Sequence, residues 1–129
     1  MRHALRFLQG FMSQAQLATI ATGMRREERQ HFFNKVVEME RLVRTMPRNY
    51  EQDGAGEEAI AHLHYFLNGF DWYITERDME REQLKAFGLA CMAEEEMGYI
   101  NILGFIRNGA ELDLYFGPRS LRKIFAERG

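Results

Sequence analysis

The spacing of apolar residues changes once along this chain, and that change limits the possible folds more than any single motif does. Before Pro47, apolar side chains recur every three or four residues; beyond Glu58 they alternate. Leu5, Leu8 and Met12 interleave with Phe7, Phe11, Ala15 and Ala18, which predicts an amphipathic helix over 4–20 with its stop at Thr22-Gly23. A second helix is predicted over 25–46. Its apolar face is Phe32, Phe33, Val36, Val37, Met39, Leu42, Val43 and Met46, and Pro47 forbids continuation. The segment Arg48–Glu58 (RNYEQDGAGEE) is polar and aperiodic, so an exposed connector is expected there.

After the connector, His62, His64 and Phe66 alternate with Leu63, Tyr65 and Leu67, and Asn68-Gly69 has the composition of a tight hairpin turn. Trp72–Thr75 is the returning strand. Further strands are predicted at 86–92, 97–102 and 110–116, with an acidic loop at 93–96, a helical turn near 103–108 and a short terminal helix around Leu121, Ile124 and Phe125. The expectation is one α+β domain over 1–129: a helical hairpin (1–47) packed on a mainly antiparallel sheet of about five strands with a short C-terminal helix (59–129). Trp72 is expected to be buried.

Composition narrows the function classes. A length of 129 residues suits one domain, and 46% apolar with 28% charged residues is too hydrophobic for a disordered segment. The net charge of -2 argues against a wholly basic nucleic-acid binder. Cys91 is the single cysteine, so no internal disulfide forms, and a reducing cytoplasm fits best. Gln9, Gln14 and Gln16 interrupt the N-terminal apolar stretch, against a signal peptide, and no run approaches the ~20 apolar residues of a membrane span. Charge is nonetheless uneven. Residues 1–48 carry nine basic and four acidic side chains, 49–118 four and fourteen, and 119–129 four and one.

Few residues offer chemistry. His62 and His64, two apart on a predicted strand, would project together and supply two metal ligands, with His31, Glu76, Asp71 or Asp113 as a third. The spacing is not diagnostic, and a polar or half-buried pair packed by Phe66 and Trp72 explains it better, so no metal or cofactor is expected. Glu111 and Asp113 share a predicted strand face, as a catalytic pair or as a solvated edge. The DGAG loop (Asp53–Gly56) lacks the lysine and hydroxyl of a phosphate-binding loop, and Cys91 reads as a buried hydrophobe. Catalytic residues are therefore not expected.

WYITE (Trp72–Glu76), FG (Phe87-Gly88), MGYINI (Met97–Ile102) and ELDLYFGPRSL (Glu111–Leu121) together resemble a bacterial domain family of unknown function. Its members are found on plasmids, phages and integrative elements. The resemblance spans roughly residues 60–124, leaves the helical hairpin outside, and carries over no catalytic residue. It implies a mobile-element protein. With the acidic sheet region, the reading is a non-catalytic inhibitor of a host defence complex, anti-CRISPR or antirestriction, docking through Glu94, Glu95 and Glu96 and an exposed apolar residue such as Phe32. Two alternatives stand beside it. One is a transcriptional or maintenance factor touching DNA through Arg25, Arg26 and Arg29 with Arg119, Arg122 and Lys123; the other is a metal-dependent nuclease or phosphoesterase using His62 and His64.

Overall fold

The computed structural model describes Met1–Gly129, and the fold is α+β. The predicted first helix is two helices. α1 (Arg2–Phe7) runs into a 3-10 turn (Leu8–Gly10), and α2 (Gln14–Gly23) starts afresh because the Ser13 hydroxyl accepts the Gln16 N–H at 3.1 Å. Leu8, Phe11 and Met12 fit the helical period yet are buried around the bend, where the Tyr65 hydroxyl donates to the Phe11 carbonyl at 2.5 Å. α3 (Arg29–Thr45) begins four residues later than its apolar period suggests, since 25–28 form a turn, and it buries Val36, Met39 and Val43.

The main sheet is antiparallel, in the order β5-β4-β3-β2-β6: β2 (Leu63–Leu67), β3 (Phe70–Glu76), β4 (Ala86–Cys91), β5 (Glu95–Ile100) and β6 (Glu111–Leu112). Asn68 and Gly69 turn the β2–β3 hairpin at φ of 51° and 86°, the left-handed pair such a turn requires. β5 ends two residues early because the Asn101 side chain accepts the Gly104 N–H at 2.8 Å and starts α4 (Ile102–Arg107). β6 is far shorter than predicted. Asp113 Oδ1 accepts the Tyr115 N–H at 2.9 Å, and the chain turns out of the sheet. Two short strands that the alternation did not reveal, β1 (Ile60–Ala61) and β7 (Arg119–Ser120), pair separately, and β7 leads into α5 (Leu121–Arg128).

Each face of the main sheet has its own core. Leu63, Tyr65, Trp72, Ile74 and Leu112 pack against the N-terminal helices; Tyr73, Leu89 and Cys91 pack against Ala61 and against Leu121 and Ile124 of α5. Strict alternation would place Ala61 and Leu63 on one side, yet they belong to opposite cores, so His62 is an inserted residue at the β1–β2 junction. The β6 edge is closed by a side chain. The Gln16 carboxamide donates to the Leu112 carbonyl at 2.7 Å and accepts its N–H at 2.9 Å, standing in for the missing strand. No helix is long and apolar enough to cross a membrane.

Candidate functional site

The two histidines do not form a pair. His64 lies on the α5 side, stacked on Tyr73 at 4.7 Å, with Phe66 at 5.9 Å; Trp72, the expected neighbour, is buried in the opposite core. Asp113 Oδ2 meets His64 Nδ1 at 3.0 Å and Asp71 Oδ1 meets Nε2 at 2.7 Å. With a carboxylate on each nitrogen, neither is free to ligate a metal ion, and nowhere are three or more His, Cys, Asp or Glu side chains grouped to hold one. Asp113, claimed by His64, has left the strand that was to align it with Glu111. Arg128 closes the cluster, reaching Asp71 Oδ2 at 3.0 Å and Glu95 Oε1 at 3.5 Å. Cys91 beside it is 1% exposed, and burial pushes its thiol up, which disfavours the nucleophilic thiolate.

His62 is orphaned: its Nδ1 is buried without a partner, and burial holds the ring below the ordinary imidazole value of 6.5. Below that value the unfolded chain binds the proton that the folded chain refuses, so His62 removes stability as pH falls through 6.5. We expect the urea midpoint to drop less between pH 7.5 and pH 5.5 in His62→Asn than in the parent. Equal drops would place the pH sensitivity elsewhere.

The acidic field is not one surface. Seven of its fourteen carboxylates have internal partners: Glu57 and Glu58 on Arg122, Asp71 and Glu95 on Arg128, Asp113 on His64, and Glu76 and Asp78 on backbone N–H groups. The predicted acidic loop is a tight turn, with Glu95 and Glu96 inside β5 on opposite faces and only Glu94 in the turn. All three are exposed. Phe32 is half-buried, its ring so close to Gly23 that a Cβ there would meet it at 2.5 Å, whereas Phe33 is the exposed neighbour. Arg25, Arg26 and Arg29 are exposed, interleaved with Glu27 and Glu28 at the α2–α3 turn. The tail cations pack on the other side of the sheet, and Arg119 and Arg122 are already paired with Glu127 and with Glu57 and Glu58. One basic stripe is not formed.

The connector is largely exposed, as expected, and several of its residues also line a cavity. Glu76, 5% exposed at the end of β3, accepts the Tyr50 N–H at 2.9 Å and the Gln52 N–H at 2.6 Å. The Gln52 carboxamide in turn pairs with both the N–H and the carbonyl of Ile60, at 2.7 and 2.9 Å. Tyr50, held at φ of 77°, reaches Tyr99 of β5, hydroxyl to hydroxyl at 3.0 Å. Both tyrosines line a cavity of about 420 Å³, together with Phe87, Met97, Asp53, Gly54 and Gly56. The Tyr50 hydroxyl, then desolvation, then the charges of Tyr50, Glu76 and Asp53, push the Tyr99 phenol up. Sequence reading passed over Tyr50 and Gln52 because no period marks them; the one signal was an aromatic residue inside an otherwise polar connector.

No family model, no curated protein and no solved structure matches this chain.

Proposed function

We propose that the chain is a non-catalytic binding protein that docks the β5 side of its sheet on a basic surface of a protein partner. The observation that carries this reading is β5 itself. It is the outer strand, its far edge is unpaired, and Glu95, Glu96, Met97 and Tyr99 along it, with Glu94 in the turn before it, are all exposed. Carboxylates on an open edge repel a second copy of the same edge but admit a basic partner, and apolar Met97 and Tyr99 supply contact area. The side chains equipped for chemistry, His64, Asp71 and Asp113, are engaged with one another, which supports binding over catalysis. The strand motifs resemble a family carried by mobile elements, and the finer proposal follows from that: the partner is a host defence complex, of the CRISPR or restriction type, whose basic groove ordinarily holds nucleic acid.

Charge reversal tests this. Glu95 is left alone because it answers Arg128, so the variant is Glu94→Lys with Glu96→Lys. In nuclease-treated host lysate the parent should retain a partner that the double variant loses by about tenfold or more at an unchanged melting temperature. Failure to enrich any protein, together with DNA binding that weakens steeply with salt and disappears when Arg25, Arg26 and Arg29 become Ala, would overturn docking in favour of direct DNA contact.

A further inference from the structure

We infer that the cavity between Tyr50 and Tyr99 receives one organic cation, the guanidinium of an arginine side chain presented by the docking partner; this rests on the docking reading above. Three observations converge on it. Glu76 lines the cavity, is almost fully buried, and has no lysine, arginine or histidine nitrogen within 4 Å of its oxygens, only two backbone N–H groups. A buried carboxylate is ordinarily paired with a cation, and here none of the lining residues is basic. The two N–H groups satisfy its oxygens but leave the charge uncompensated, so a countercharge would come from outside. The walls suit its arrival: Phe87 and Tyr99, both lining the cavity, meet edge to face at 82° with ring centres 5.5 Å apart, and the Tyr50 ring, also in the lining, is tied to Tyr99 by their hydroxyls. Such rings present their negative faces to a cation, and a planar guanidinium also stacks on them. Finally, the connector side of the cavity is held at a conformational cost. Tyr50 is in the left-handed region that a tyrosine avoids, held by the Glu76 hydrogen bond, while Gly54 and Gly56, also left-handed, have no atom within 4 Å of where a Cβ would be. Strain held by a surrounding network beside a cavity is a mark of preorganisation for a ligand. Asp53, also in the lining, adds a second carboxylate to draw the cation in.

The experiment is an NMR titration of the full chain with acetyl-Gly-Arg-Gly-amide against the same peptide carrying citrulline, which keeps the shape and loses the charge. Resonances of Tyr50, Phe87, Met97 and Tyr99 should move with the arginine peptide, and citrulline should bind at least about fivefold more weakly. Tyr99→Leu and Asp53→Asn should each weaken the arginine peptide about threefold or more. These variants are preferred to Glu76→Gln, which would also release the connector. Equal binding of the two peptides, shifts confined to Glu94–Glu96, no shifts, or indifference to Tyr99→Leu would overturn the cation site. The two proposals fail separately. Loss of peptide binding with partner capture intact removes the cavity's role and leaves docking, whereas cavity shifts with no partner captured remove docking and leave a cation site.

Discussion

Gly88→Ala should severely destabilise the fold, while Gly98→Ala, at the residue directly across the β4–β5 pair, should be nearly silent. Gly88 lies in β4, next to the middle strand of the main sheet, opposite Ile74 of β3. A Cβ built there would overlap the Tyr73 carbonyl oxygen and come within 2.9 Å of Ile74 Cα. Both obstacles are backbone, so no rotamer relieves them; β3 and β4 would have to separate where their register already shifts, between Ile74 and Glu76. Strand separation would break the ladder and open both cores. We expect a loss above about 4 kcal/mol, a large part of the ~5–15 kcal/mol that holds an ordinary domain together. At Gly98 nothing lies within 4 Å of the added carbon, and the change should stay within about 1 kcal/mol. Urea unfolding followed by circular dichroism compares them, and similar midpoints would mean that the β3–β4 approach is wider than described.

The second large effect is expected at Gln83, which is fully buried with φ of 54°. Its carboxamide oxygen accepts the Asp78 N–H at 2.8 Å, and its nitrogen donates to the carbonyls of Glu80 at 2.7 Å and Asp78 at 3.3 Å. Gln83→Glu keeps the shape and turns the donor into an acceptor facing two carbonyl oxygens. A charge is then buried against like dipoles. The cost should be about 3–5 kcal/mol at neutral pH, as for a buried ionic group stripped of its partner. The introduced carboxyl would take up a proton more readily folded than unfolded, so the deficit should shrink as pH falls and the O–H restores a donor. Gln83→Met removes the same bonds without a titrating group and serves as the control. A deficit in the glutamate variant that does not depend on pH would show that the carbonyls do not confront the side chain.

Legibility in the sequence tracked how local each cause is. The Asn68-Gly69 turn, the stop at Pro47 and the five strands of the main sheet could be read because turn chemistry and period lie within a few residues. The break between α1 and α2 could not, since Leu8, Phe11 and Met12 satisfy the helical period equally well when buried around a bend fixed by Tyr65. The connector was rightly read as exposed, but its order was not legible for a related reason: it comes from Glu76, some twenty-five residues away, and from the Gln52 carboxamide, neither of which leaves a periodic trace. His62 and His64 showed the weakness of alternation as evidence of a shared face. One inserted residue separated them, and the carboxylates that claim His64 come from β3 and from the turn after β6. The acidic triplet was rightly read as exposed, but β5 splits it across two faces, and Arg128 takes Glu95.

The order of synthesis gives the two-core arrangement a temporal meaning. The first core draws only on residues up to Leu112, whereas the second needs Leu121 and Ile124 to cover Tyr73, Leu89 and Cys91. A growing chain can therefore assemble the helix-covered side of the sheet while the opposite side is still bare. Until α5 emerges, the sole thiol of the protein lies on an open apolar surface, available to chaperones and oxidants alike. Arg128 then reaches back to Asp71 and Glu95 and fastens the last helix over it. The docking strand acquires its finished charge pattern only at that step, so an incomplete chain would present β5 with one carboxylate too many.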